Sequence, residues 1–141
     1  MGNIYSSNEE IRKIQQGMRQ SFYLAGKAIV KESRRLINLK PKSGRTYIVK
    51  VGIGGKPLAK ARRHVASAPG EAPAVITGDL RKSVDFKVHG HTILEIGANT
   101  EYARELEYGT NKMAARPYLK PAIQSERQNL INYFGNELKG V

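Results

Sequence analysis

The chain has no cysteine and no tryptophan among its 141 residues, and only three phenylalanines. Without cysteine it can form no disulfide, offers no thiolate metal ligand and lacks the nucleophile of a cysteine hydrolase. No apolar run approaches the roughly 20 residues that a membrane-spanning helix needs. The first residues, MGNIYSSNEEIRK, are polar where a secretory signal peptide is apolar. We therefore expect neither secretion nor a membrane partner.

Acidic residues are scarce relative to basic ones, 12 against 24, so the formal net charge is +12. Residues 1–76 hold 15 basic and 4 acidic groups, a net charge of +11, whereas residues 77–141 hold 9 and 8. This asymmetry favours a polyanionic partner. Charge alone fits nucleic acid, a membrane surface or an acidic protein face, and of these we expect the membrane surface not to be a partner. The alternative is a well-solvated surface that aids solubility and has no specific partner.

A long helix is predicted over residues 7–40. Ser7 would be its N-cap, with Glu10 three residues later completing a capping box, and Pro41 would end it. Apolar residues recur along it at spacings of three and four. At 1.5 Å per residue the helix would be roughly 50 Å long, so we expect part of it to extend beyond the core. A break into two shorter helices near Gly26 is the alternative.

The rest of the chain predicts an α+β domain, and 141 residues suffice for one core. Residues 46–51, 84–89 and 92–97 favour strands of a small, mostly antiparallel sheet. Residues 118–138 predict the C-terminal helix, with Ile123 in its apolar stripe. Residues 53–76 are rich in glycine, proline, alanine and basic side chains, and are predicted to form an extended basic loop that a neighbouring molecule orders.

Two short helices are predicted between these elements. Thr77 is the expected N-cap of the first, in TGDLRKSV, and Thr100 that of the second, in TEYARELEYG. Gly109 is placed to end the second helix as a C-terminal glycine does. Pro121 fits the first turn of the last helix. These residues predict a rigid corner between a short and a long helix.

The sequence patterns that would indicate catalysis, metal binding or phosphate binding are weak. The stretch GIGGK lacks the spacing and the hydroxyl residue of a phosphate-binding loop, so we interpret it as a turn. His89 and His91 flank a predicted hairpin turn at Gly90, and two histidines without a third ligand favour exposed hairpin residues over a metal site. The glutamates of the short helix have no histidine at catalytic spacing. We predict no enzyme activity, no cofactor and no metal.

Three stretches together resemble a known family. APGEAPAVITGDLRKSV, EYARELEYGT and KMAARPYLKPAI, in this order, resemble the small head-tail joining, neck and tail-completion proteins of long-tailed bacteriophages. The resemblance spans residues 68–123, and the insert KPLAKARRHV departs from it. It implies a non-enzymatic structural subunit with a tail-tube or tail-terminator-like α+β fold. It also implies a homo-oligomeric ring, expected to be a hexamer, which contacts other neck and tail proteins in the virion after synthesis in the host bacterial cytoplasm.

The resemblance suggests which residues would serve assembly. The positions expected at the ring interface or its supporting corner are Arg81, Glu107, Tyr108, Gly109, Thr110, Met113, Arg116, Pro117 and Pro121. Glu107 and Arg116 would pair within the corner or across subunits. The positions expected to contact a polyanion or a neighbouring protein are Lys56, Lys60, Arg62 and Arg63. Genomic DNA, bound without base readout, is a candidate partner, and a free nucleic-acid-binding protein is the alternative function.

Overall fold

The computed structural model describes residues 4–51 and 53–139 and has the predicted α+β architecture. A long N-terminal helix and a C-terminal helix pack together with antiparallel strands, which confirms the fold class. The strands form two separate two-stranded sheets rather than one. In chain order the elements are α1 (Ile4–Asn38), β1 (Thr46–Val51), β2 (Pro57–Val65), α2 (Asp79–Ser83), β3 (Val84–His89), β4 (Ile93–Ala98), α3 (Ala103–Tyr108) and α4 (Leu119–Lys139).

Helix α1 is continuous through Gly26, so the alternative of two shorter helices is wrong. A Cβ atom at Gly26 would lie 2.3 Å from Cδ2 of Phe86, which shows that the Phe86 ring packs directly on the helix backbone. The roughly 1 kcal/mol that glycine costs inside a helix is offset by this contact. α1 begins at Ile4, so Ser7 lies within the helix and is not its N-cap.

Strands β3 and β4 form the predicted hairpin and carry part of the core. Their register runs from Val84 opposite Ala98 to His89 opposite Ile93, and Gly90 occupies the turn with φ 61°. The hairpin packs on α1. The buried cluster consists of Val30, Ile37, Leu80, Val84, Ala103 and Tyr118. The core therefore joins the C-terminal half of α1 to the hairpin and to the start of α4.

Helix α4 runs back along α1. Ser21 Oγ donates to Tyr133 O at 3.2 Å, and the rings of Phe22 and Phe134 meet edge to face at 4.9 Å between centroids. Ile123 is 43% exposed, so its predicted place in the packed stripe is wrong. α4 has one major neighbour, α1, so only a narrow face of it is covered.

The prediction of a loop over residues 53–76 is wrong for the first half of this range, which contains strand β2. β2 pairs antiparallel with β1, from Thr46 opposite Val65 to Val51 opposite Pro57, with an irregularity after Val49. Among the described residues the two strands pack mainly against each other. None of the described side chains of β2 is buried. A strand without a buried face needs no alternation of apolar and polar residues, which is the pattern that identifies a half-buried strand. We call β1 and β2 the ribbon.

The N-terminal part of α1 extends beyond the core, as predicted. None of residues 7–20 is buried, and Ser21 is the first buried position along the described side chains. Ile11 is half exposed. A single subunit therefore leaves two projections uncovered, the start of α1 and the ribbon.

Candidate functional site

The three stretches that carry the family resemblance fold into one hydrogen-bonded unit. Gly70 N–H donates to Ala115 O at 2.9 Å, which joins the first stretch to the third. Arg116 N–H donates to Leu106 O at 2.6 Å, which joins the third to the second. Leu80 of the first stretch lies in the buried cluster that also includes residues of the other two. We call residues 68–84, 101–110 and 112–123 together the corner unit.

Glu107 organises the corner unit by capping α4 from another helix. Its buried carboxylate accepts the N–H groups of Tyr118 at 2.8 Å and Leu119 at 3.0 Å on Oε2, and that of Lys120 at 2.8 Å on Oε1. A helix leaves its first four N–H groups without helical acceptors. The fourth position here is Pro121, which has no N–H, so Glu107 satisfies every donor at this end. Its negative charge also lies at the positive end of the helix dipole.

The burial of Tyr118 follows from the same arrangement. The side chain is 1% exposed at the centre of the corner unit. Burial raises the pKa of its phenol to about 12, and the negative charge of Glu107 adds to the effect. The phenol therefore stays neutral throughout the physiological pH range. Pro117 precedes this residue and is partly buried.

The predicted pair between Glu107 and Arg116 is wrong within the chain. Glu107 is occupied by the N-terminus of α4, and Arg116 Nε instead donates to Ser67 O at 3.2 Å. Arg116 Nη1 also reaches Ala114 O at 3.4 Å. Glu107 and Arg116 therefore stabilise different parts of the structure. The partners of both side chains are backbone groups, which sequence spacing does not reveal.

A tight turn follows α3 and needs Gly109. Its φ of 75° and ψ of 177° belong to a region that is essentially restricted to glycine. Gly109 N–H donates to Glu105 O at 2.8 Å, which ends α3 as predicted. Thr110 Oγ1 accepts from Met113 N at 3.1 Å, and Thr110 N donates to Met113 O at 2.8 Å. Tyr108, just before the turn, is 78% exposed.

A cavity of about 600 Å³ lies between the corner unit and the base of the ribbon. Predicted site residues Arg81, Met113 and Arg116 line it, together with His64 and Leu106. Arg81 Nη1 donates to Asn38 Oδ1 at 3.2 Å, which ties α2 to the end of α1. The cavity brings together these three predicted positions. Tyr108 does not line it, and Glu107, Pro117 and Pro121 belong to the α4 cap.

Two predicted helix caps are wrong. The N-cap of α2 is Gly78, with φ 87°, and Thr77 Oγ1 instead donates to Asp79 Oδ2 at 2.6 Å. The N-cap of α3 is Tyr102, while the hydroxyl of Thr100 is buried and has no hydrogen-bond partner within the described residues. The N-cap lies one residue after Thr77 in α2 and two residues after Thr100 in α3, because Gly78 has a positive φ and a turn follows Thr100.

Lys42 and Glu71 fasten the base of the ribbon to the corner unit. Lys42 Nζ donates to Leu36 O at 3.2 Å, near the end of α1, and to Ala72 O at 2.8 Å. Burial lowers the pKa of this amine, and the nearby Glu71 opposes that shift. Glu71 accepts from the hydroxyl and the N–H of Ser43 and from Ala68 N–H at 2.9 Å. Sequence reasoning missed both anchors, since the contacts that join these segments, Lys42 to Ala72 O and Glu71 to Ser43, span 30 and 28 residues.

Glu71 gives the fold a specific acid sensitivity. The Ser43 hydroxyl, with the N–H groups of Ala68 and Ser43, lowers the pKa of Glu71 from 4.5 to about 2. A depressed folded-state pKa stabilises the fold above pH 4.5, and this contribution disappears as the pH falls from 4.5 towards 2. We expect Glu71→Gln to be less stable than the wild type at pH 6, with the difference in unfolding free energy shrinking as the pH falls to about 2. Urea unfolding at each pH measures it.

The control for Glu71 is Glu101→Gln, a change at an exposed glutamate of the same chain. This variant should follow the wild type at every pH. A Glu71→Gln deficit that stays constant between pH 6 and pH 2 would contradict the assignment, since a constant deficit does not report the titration of Glu71.

The four predicted polyanion-contacting residues lie on or beside β2 and are all exposed: Lys56, Lys60, Arg62 and Arg63. Register places Arg62 opposite Val49 and Arg63 opposite Ile48. None of the four forms an ion pair within the part of the chain that the structure describes. Their charges are therefore available to an external partner.

Arg34 of α1, which lies outside the corner unit and the ribbon, donates from Nη2 to Val84 O at 2.8 Å. His89 Nε2 lies 2.6 Å from Glu95 Oε2 across the β3–β4 hairpin. Within residues 4–51 and 53–139, no three histidine, cysteine, aspartate or glutamate side chains are grouped as metal ligands. In the same residues, no helix is both long enough and apolar enough to cross a membrane. Comparison of the chain with family models, curated proteins and solved structures found no match.

Proposed function

We propose that this chain is a structural virion protein of a tailed bacteriophage, which assembles into a ring in the head-tail connector or at the end of the tail. The observation that carries the proposal is the corner unit. Three stretches that resemble neck and tail-completion proteins, separated along the chain, are joined in it by backbone hydrogen bonds and the α4 cap. Glu107 and Arg116 bind backbone groups within the chain, so their role is to fix the shape of the subunit. This supports a structural role in assembly.

The uncovered surfaces of the subunit also support assembly. Residues 7–20 of α1 include no buried side chain, and the ribbon exposes Tyr47 and Ile48 by 52% and 62%. Head-to-tail contacts between identical subunits join two different patches and close into a ring when the rotation allows. A subunit with projections at separate places suits such contacts. On this proposal the protein is non-enzymatic and acts through surface complementarity.

Tyr108 is the most specific candidate for the contact between subunits. It is 78% exposed on the rigid corner unit, and tyrosine is enriched among residues that dominate interface energies. We expect the purified chain to form a closed ring and Tyr108→Ala to weaken it by about tenfold or more in dissociation constant, with unchanged thermal unfolding of the subunit. Light scattering after size exclusion, over a range of concentrations, measures the mass.

Ile93→Ala is the control, because Ile93 is an exposed apolar residue of the β3–β4 hairpin, outside the corner unit, the start of α1 and the ribbon. It should leave the mass distribution closer to that of the wild type than Tyr108→Ala does. Equal effects of the two variants on the mass distribution would show that Tyr108 has no specific role in the contact between subunits. A wild-type chain that stays monomeric at every concentration would count against self-assembly.

A free nucleic-acid-binding protein is the second candidate function. Residues 45–65 contain six lysines and arginines and no acidic residue, which favours this candidate. The two functions differ in assembly state. A monodisperse monomer that binds duplex DNA with nanomolar affinity at physiological salt would favour the second function over the first.

A further inference from the structure

We propose that the ribbon is a binding site for the sugar–phosphate backbone of duplex DNA, with β2 lying along a groove. The inference assigns a ligand to one element and goes beyond the proposed ring. It depends on the charge and shape of the ribbon alone, so it holds for DNA threading a ring and for DNA bound by a single subunit. Failure of one proposal would leave the other standing.

The charge of the ribbon region has one sign and is exposed. Six basic residues and no acidic one occupy residues 45–65, and Glu71 is the first acidic residue after Glu32. The carboxylate of Glu71 is already bound by Ser43 and Ala68 at the ribbon's base. Neutralisation of the distal charges must therefore come from counterions or from an external polyanion.

The basic side chains point to both faces of the ribbon. Alternate residues of a strand face opposite sides, so Lys60 and Arg62 share one face and Arg63 lies on the other. A flat acidic protein surface would neutralise one face only. A DNA groove has phosphates along both of its walls, so a ribbon inside it can use both faces. This two-sided distribution favours duplex DNA over an acidic protein surface.

The dimensions of the ribbon also match. The major groove of B-DNA admits a two-stranded antiparallel ribbon. β2 has nine residues, which at about 3.3 Å per residue gives about 30 Å, close to one helical turn of duplex. Contacts from lysine and arginine to phosphate carry no sequence information. We therefore expect binding that is independent of sequence and strongly dependent on salt.

The test compares two variants that lose equal charge. The ribbon variant changes Lys56, Lys60, Arg62 and Arg63 to glutamine. The control changes Arg12, Arg19, Lys27 and Lys31 to glutamine, four exposed positions on α1. Fluorescence anisotropy with a 30-base-pair duplex of arbitrary sequence, at salt concentrations from about 50 to 200 mM, gives the affinity and its salt slope.

We expect the wild type to bind and the ribbon variant to lose at least about tenfold in affinity. The slope of log K against log salt should fall in magnitude by up to about 3.6, since each phosphate contact contributes about 0.9. The helix control should retain affinity within about threefold and keep the wild-type slope. Equal losses in the two variants would overturn the proposal, because general charge would then explain binding. Absence of wild-type binding at about 50 mM salt would also overturn it.

Discussion

Replacing Glu107 with alanine is expected to lower the free energy of unfolding by about 3 kcal/mol, because buried donors lose a charged acceptor. The change removes the acceptor of three N–H groups at the start of α4. Hydrogen bonds to charged groups contribute about 1.5–3 kcal/mol each, and part of the loss returns when water reaches the freed donors. Loss of the favourable charge at the helix N-terminus adds to the effect. Urea unfolding followed by circular dichroism measures it.

Two further variants make the Glu107 prediction specific. Glu107→Gln keeps the size and one acceptor oxygen but places an NH₂ group against backbone donors, so we expect an intermediate loss of about 2 kcal/mol. Glu105→Ala alters an exposed glutamate of the same helix and should change stability by less than about 0.5 kcal/mol. If Glu107→Ala and Glu105→Ala proved equally stable, the capping role would be wrong.

The second large effect is expected at Gly109. Its φ of 75° and ψ of 177° cost a residue with a side chain about 1–3 kcal/mol. A Cβ atom there would lie 2.8 Å from Ala115 N and 2.9 Å from Met113 O, which are backbone atoms of the corner unit and cannot move alone. Overpacking adds about 1–3 kcal/mol. We expect Gly109→Val to destabilise the chain by about 4 kcal/mol in thermal or urea unfolding and to impair assembly.

Gly90→Val is the matched control for Gly109. Gly90 also has a positive φ, 61°, but a Cβ atom there meets nothing within 4 Å. Its cost should be limited to the backbone penalty of about 1–2 kcal/mol. A larger loss at Gly109 than at Gly90 would reflect the close approach in the corner unit together with the more restricted backbone region of Gly109. Equal destabilisation would show that the backbone conformation alone, and not packing against residues 113–115, makes glycine necessary.

The long elements of the fold could be predicted from the sequence because their signals are local. Apolar spacing predicts α1 and α4, and β-branched runs predict β1, β3 and β4 to within about one residue. Gly90 and Gly109 also occupy the predicted turn and helix end, since positive φ selects glycine. Local preference and global fold agree at these places.

Other features depend on contacts that spacing does not encode. None of the described side chains of β2 is buried, so the strand lacks the alternation that would identify it, and it resembles a loop in composition. Glu107 caps a helix 11 residues further along the chain, and its partners are backbone N–H groups. One signal was present in the sequence. Pro121 has no N–H, so only three of the four positions at the start of α4 are donors, but the sequence alone does not identify the carboxylate that accepts from them.

The measurement that tests the proposed function most directly is the location of the chain in intact particles of a tailed phage that encodes it. Particles carrying a tagged copy would be imaged by cryo-electron microscopy with and without a label against the tag. We predict a ring of label at the head-tail junction or at the tail end, and unjoined heads and tails, or incomplete tails, when the chain is absent. Complete, infectious particles that lack the chain would contradict the proposal.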